Sequence, residues 1–172
     1  VFNSPLAESS IIGTAIGLAT LGYKPVVEIQ FGDYIWYSMK QIRNEVATMR
    51  YRSNGKWSCP IVMRVPVGGY IHGSICHSQS IDGFFTHLPG IYIAYPSNAS
   101  DAKGLLKMAC RMEDPVMFME HKGLYRQGFA SSAEPDENYI LPFGKAKIVQ
   151  EGEVLTIITW GAMVQKSIEA VK

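Results

Sequence analysis

Apolar and polar positions fall in blocks along this chain, and the block lengths predict its elements. After Ser4-Pro5-Leu6-Ala7-Glu8, nearly every residue from Ile11 to Leu21 is apolar or small. Ser4 suits a helix N-cap, Pro5 the first helical position and Gly22 a stop, so a helix is predicted from Pro5 to Leu21. Gly13 and Gly17 share one face of it and would permit close packing. Pro25–Gln30 reads as a buried strand. Between Ser38 and Arg50, Met39, Ile42, Val46 and Met49 recur at helical spacing, with Lys40, Arg43, Asn44 and Arg50 opposite. A turn at Ser53-Asn54-Gly55 precedes a strand at Ile61–Val65 and a glycine-rich loop from Pro66 to Ser74. A helix beginning at Ser78 or Ser80 runs to His87, and Leu88-Pro89-Gly90 ends it. Ile91–Tyr95 is a third strand, Asp101–Met112 a helix capped by Asn98 or Ser100, and Pro115–Glu120 a fourth strand.

This strand–helix rhythm predicts βαβ units: an α/β, doubly wound, mainly parallel sheet with helices on both faces. Continuous apolar runs such as Val116–Met119 suit strands buried on two sides. Past His121 the rhythm breaks, and Ala133–Asn138 is polar and proline-bearing. The expected division is therefore 1–121 as the first domain, 122–143 as a linker, and 144–172 as the start of a second α/β domain. That last piece would hold a stretch at Lys145–Gln150, a strand at Val154–Trp160 and a helix after Gly161.

Composition narrows the function classes. The 172 residues carry a net charge of +1, which gives no electrostatic case for nucleic acid or an anionic membrane. No apolar run approaches the roughly 18 residues of a membrane span. Cys59, Cys76 and Cys110 are scattered and odd in number, which suggests a reducing compartment and not secretion. The chain does not open with methionine and stops within a predicted helix, so it is expected to be a piece of a longer protein.

Candidate chemistry sits at strand ends and helix starts. Glu8 is the only charge between Val1 and Lys24. It reads either as a first-turn acid favoured by the helix dipole or as a functional carboxylate. Gln30-Phe31-Gly32-Asp33-Tyr34 follows a strand at its carboxyl end, where open α/β sheets bind ligands, or is an ordinary loop with packed aromatics. His77, at the end of the glycine-rich loop, is a candidate acid/base or a polar cap. His72 and His87 read as structural. No phosphate-binding loop, dinucleotide fingerprint, zinc motif or serine elbow is present, and no metal site is expected.

Taken in order, Val1–Glu8, Glu28–Tyr34, Gln41–Glu45, Arg50–Ser53, His77-Ser78-Gln79, His87–Gly90, Asp101–Leu105 and Thr159-Trp160-Gly161 resemble a known family. It is the beta-type, pyrimidine-binding chain of the thiamine-diphosphate-dependent decarboxylating component of 2-oxo acid dehydrogenase complexes, of transketolase-like fold. The resemblance implies oxidative decarboxylation of pyruvate or a branched-chain 2-oxo acid, with acyl transfer to a lipoyl arm. It implies that Glu8 hydrogen-bonds a ring nitrogen of the cofactor's aminopyrimidine, so that the exocyclic nitrogen can take the thiazolium proton. Leu6 and Gln30 match pyrimidine-pocket positions, Tyr34 the stacking aromatic and His77 the active-site histidine. Tyr34 leans towards branched-chain relatives, because pyruvate-type chains often carry phenylalanine there.

The diphosphate and Mg2+ motif of the family is absent here and belongs to the alpha-type half, separate or fused. The implied partners are therefore that alpha-type surface, a second beta-type chain and a lipoyl acyltransferase core, in a heterotetramer or a dimer of fused chains. The fragment alone would be inactive. A structural potassium is implied near the second strand, although Met112 stands where many relatives have aspartate. The implied place is bacterial cytoplasm or mitochondrial matrix. Another transketolase-like thiamine enzyme, or a non-catalytic interaction module on the same fold, are the competing readings. The family's first strand is expected to be missing ahead of Val1.

Overall fold

The computed structural model describes all 172 residues. Its centre is a four-stranded, wholly parallel sheet of order β1-β2-β4-β3. The strands are β1 Val26–Glu28, β2 Val62–Val67, β3 Tyr92–Ala94 and β4 Val116–His121. The two central strands pair from Val62↔Val116 through Val67↔His121. Being covered on both faces, they need apolar side chains in both directions. Met63, Val65, Val67, Met117 and Met119 enter one core with Ile12, Ile42 and Phe85. Val62, Val116 and Phe118 enter the other, against Ala109. Helices α1 (Glu8–Thr20), α2 (Met49–Arg52) and α3 (Asp82–Phe85) accompany the first core, and α4 (Ala99–Ala109) covers the second. The doubly wound α/β arrangement expected from the sequence is the one observed.

Helix α1 departs from the prediction at its start and follows it at its end. The Ala7 N–H closes a tight turn on the Pro5 carbonyl at 2.8 Å, which holds the chain off a helical course until Glu8. Ala7, in extended conformation, is thus the N-cap position, no side chain caps it, and Ser4 instead bonds the Pro5 carbonyl at 3.2 Å. At the other end Gly22 has φ +89°, with Gly22 N–H to Ala19 O at 3.0 Å and Tyr23 N–H to Leu18 O at 3.1 Å. That is a Schellman closure, which the left-handed φ of a glycine permits. A methyl group added to Gly13 or Gly17 would meet no atom within 4 Å, so neither packs against another element of this chain.

The helix predicted over 38–50 is not one regular helix, and irregular helical turns begin ahead of it. A 3-10 stretch, Gly32–Ser38, is followed by a π-helical turn at Gln41–Val46 and then by α2. Ile35, Ile42 and Val46 are all buried, and the changes of pitch bring them onto one core. The Thr48 hydroxyl bonds back to the Asn44 carbonyl at 2.5 Å, a contact that bends helices. Helix α3 is shorter than the 78–87 range predicted for it. Helix α4 starts where expected: the Asn98 side chain accepts the Asp101 N–H at 2.9 Å.

The segment after β4 holds the largest difference. Two 3-10 turns, Lys122–Leu124 and Gly128–Ala130, lead into a stretch that runs beside α4, where Lys103 holds Glu134 at 2.9 Å and the Pro135 carbonyl at 2.7 Å. The strand predicted at 154–160 does not form, and neither does one at 145–150. No strand runs alongside to take their backbone hydrogen bonds, and Val154 and Ile158 are 95% and 84% exposed. Helix α5 (Met163–Ala170) does form. No helix is long and apolar enough to cross a membrane.

Candidate active site

At the carboxyl edge of the sheet, three chain segments meet: the loop after β1, the glycine-rich loop after β2 and the end of β4. Edge-on aromatic contacts tie the first two together. Phe31 packs on His77 with ring centroids 4.6 Å apart, and Tyr34 lies 5.7 Å from Phe31 and 5.6 Å from His77. Hydrogen bonds fix the imidazole between two partners. His77 Nδ1 lies 2.8 Å from the Gly73 carbonyl, which can only accept, so Nδ1 carries the proton. In the neutral ring Nε2 is then bare and accepts from the Tyr34 hydroxyl, 2.8 Å away. The result is a half-buried histidine with one tautomer selected and one basic nitrogen aimed at a phenol.

The loop that delivers His77 is bent to do so. Gly68 has φ +80°, and Tyr70, His72 and Ser74 have φ of 72°, 58° and 63°. For residues other than glycine this region costs on the order of 1–3 kcal/mol each. The loop is closed at its base by Gly68 N–H to the Gln79 carbonyl, 2.8 Å. Gly68 also abuts β4: a methyl group on it would sit 2.3 Å from His121 Nε2. His121 is buried, stacks on Tyr95 at 6.3 Å and accepts the Gly123 N–H on Nδ1 at 3.1 Å. Burial, with Lys122 and Lys166 nearby, pushes its pKa below the ordinary histidine value.

The other candidates sit apart from the aromatic pair. Glu8 is the first residue of α1, half-buried, and makes no ion pair and no side-chain hydrogen bond to protein. Its turn is tied to the Tyr34 segment by Ser9, whose hydroxyl donates to the Tyr37 carbonyl at 2.7 Å. Leu6 is 78% exposed and Gln30 is exposed, and neither contacts Tyr34 or His77 through a hydrogen bond. The structure therefore brings Tyr34 and His77 together and leaves Leu6, Glu8 and Gln30 with open faces. A carboxyl group at a helix start with no protein partner, on a turn tied to a segment bearing an aromatic ring, fits a flat heterocycle that shares a hydrogen bond with it.

Two residues that the sequence reasoning misses also belong to this edge. They are His121 and Lys122, and a signal for them exists: they end an apolar strand at its carboxyl side, the same rule that selects Gln30–Tyr34. No group of three or more His, Cys, Asp or Glu side chains could hold a metal ion. The carbonyls of Arg111 and Met112, in the stretch where the resemblance implies potassium, each accept from the Lys24 ammonium at 3.1 Å and so already have a cation. A cavity of about 590 Å³ lies at the opposite, amino edge of the strands, lined by Arg50, Tyr51, Cys59 and Asp114 among others. Its charges, Arg50 and Asp114, pair with each other at 2.6 Å, and burial pushes the Cys59 thiol up to about 11, so it offers no reactive group.

Known proteins resemble the chain along its whole length. Residues 1–127 match the family described as transketolase, pyrimidine binding domain. The chain is 49% identical over 170 residues to the 2-oxoisovalerate dehydrogenase subunit beta of Bacillus subtilis (strain 168), covering 99% of this chain and 51% of that protein. It is 46% identical over 170 residues to the pyruvate dehydrogenase E1 component subunit beta of the same organism, covering 99% and 52%. A mitochondrial 2-oxoisovalerate dehydrogenase subunit beta of Dictyostelium discoideum is 47% identical, covering 99% and 46%. Among solved structures, a split gene transketolase described as an inactive beta4 tetramer superposes with a TM-score of 0.76 at 23% identity, over 98% of this chain and 51% of that one. The chain thus spans about half the length of the curated relatives it matches.

Proposed function

The chain belongs to the transketolase pyrimidine-binding domain family, and on that premise we propose that it supplies the aminopyrimidine-activating half of a thiamine-diphosphate site in a 2-oxo acid dehydrogenase. The observation that carries the reading is the pairing of Tyr34 with His77 at the strand ends, together with a Glu8 that no protein cation neutralises, on a turn tied to the Tyr34 segment through Ser9. When bound, thiamine diphosphate supplies the carbon nucleophile that makes decarboxylation of a 2-oxo acid possible. The residues of this chain orient and tune it. Glu8 would hydrogen-bond a ring nitrogen of the pyrimidine, an interaction that strengthens as a partner surface excludes water. Tyr34 offers an aromatic face to the ring, Leu6 an apolar one, and Gln30 an amide. His77, with Nε2 bare in the neutral state, accepts or returns a proton once Tyr34 yields its hydrogen bond.

The diphosphate and Mg2+ would be held by an alpha-type half, separate or fused, and the acyl group would pass to a lipoyl arm on an acyltransferase core. A second beta-type chain would complete the assembly, in bacterial cytoplasm or the mitochondrial matrix. Residues 1–121 would form the pyrimidine-binding domain, 122–143 a linker and 144–172 the beginning of a further domain. The test is decarboxylation of pyruvate and of branched 2-oxo acids by the full-length chain with its alpha-type partner, thiamine diphosphate and Mg2+. Turnover of a branched acid in preference to pyruvate is expected. Glu8→Gln should lower kcat by about a hundredfold or more, the scale of one lost polarising contact. If no 2-oxo acid is consumed, or Glu8→Gln turns over normally, the assignment fails.

A further inference from the structure

Three residues of the loop after β1 reach one short segment. Phe31 packs edge-on against His77, and the Tyr34 hydroxyl bonds its Nε2. Asp33 Oδ2 takes the Gln79 N–H at 3.5 Å, the outer limit of such a bond. The loop therefore grips residues 77–79 at three points. Behind the grip stands a side chain from a third element. Lys122, directly after β4, is only 8% exposed, and its Nζ lies 5.4 Å from the centre of the Phe31 ring. That ammonium has no hydrogen-bond acceptor, and Asp33 Oδ1 is buried with no donor.

A buried charge without compensation is costly, and these two are of opposite sign. They do not touch as an ion pair, yet the carboxylate acts on the ammonium: burial lowers the Lys122 pKa and Asp33 raises it. The Phe31 ring adds a cation–π contact on the ammonium. We propose that Lys122 and Asp33 form a buried charge couple that holds the Phe31–Tyr34 loop against His77, which makes Lys122 a positioning residue for that histidine. The couple itself is independent of the reaction; its bearing on turnover rests on the function proposed above.

The measurement is the rate at which diethyl pyrocarbonate acylates His77, followed by peptide mass spectrometry on the full-length chain assembled with its alpha-type partner. A histidine whose Nε2 is covered by Tyr34 reacts slowly, and loosening the clamp exposes it. Lys122→Met and Asp33→Asn should each raise the rate about fivefold or more, the factor that a one-kcal/mol loosening gives. The double variant, with neither charge left to strand, should return to within about twofold of wild type. Lys122→Arg, which keeps the charge, should also stay near wild type. Single variants indistinguishable from wild type, or a double variant as reactive as the product of its singles, overturn the proposal. If Lys122→Met does not fold, Lys122→Gln with Asp33→Asn runs the same comparison. In parallel, kcat should fall in the singles with KM for the 2-oxo acid little moved. A wild-type enzyme that decarboxylates no 2-oxo acid while His77 follows the pattern sinks the functional reading and leaves the couple standing.

Discussion

At the scale of single residues, His77 and His121 show how neighbours decide what an imidazole can do. His77 is bracketed by a carbonyl and a phenol, and the phenol is removable. Tyr34→Phe keeps the ring and loses the donor, so it should lower stability by about 0.5–1.5 kcal/mol in denaturant unfolding and leave Nε2 free. His121 is held neutral: burial, first, then the charges of Lys122 and Lys166 depress its folded pKa. Below the unfolded value of about 6.5 the unfolded chain therefore binds a proton that the folded chain refuses, and stability falls as pH drops through that window. Urea midpoints measured from neutral to mildly acid pH should show that slope, and His121→Gln should flatten it. Glu8, Tyr34 and His77 can be picked from the sequence because each stands at a strand end or helix start. Lys122 meets the same strand-end rule, but a charged residue after an apolar strand also reads as the beginning of a solvated linker, and only the fold shows it turned back over Phe31.

Among the elements, those with a repeating apolar pattern and a chemical end signal are legible in the sequence. Strand β4 reads as a continuous apolar run over Val116–Met119 and β2 as an apolar run broken by Arg64, which pairs with Glu120 and Glu28, and α4 carries its cap in Asn98. That cap can be weighed: Asn98→Ala should cost about 1 kcal/mol, within the usual 0.5–2, in thermal or denaturant unfolding. The pattern over 38–50 reads as one helix because periodicity reports which side chains are buried, not the pitch that buries them. Across the 3-10 and π-helical turns of this region Ile35, Ile42 and Val46 are all buried, as the pattern requires, while the pitch is not that of one regular helix. The strand expected at 154–160 fails for a different reason. A helix carries its hydrogen bonds within itself, whereas a strand exists only by pairing, so α5 forms and the strand does not.

For the whole molecule, order should follow pairing. Amide hydrogen exchange is expected to be slowest in β2 and β4 and fastest over 145–160, where no backbone ladder protects the chain. Slow exchange over 154–160 in this same chain would show that the segment pairs after all. The family match over residues 1–127 coincides with the part that builds the sheet, and the sheet itself is readable because its alternation of strands and helices admits few other architectures. The lengths of the strands carry one more consequence. Both outer strands, β1 and β3, are only 3 residues long, while the inner pair has 6 each. Such stubs give a second chain too few consecutive donors and acceptors to add itself on, so the sheet is guarded at its margins against growing into an aggregate.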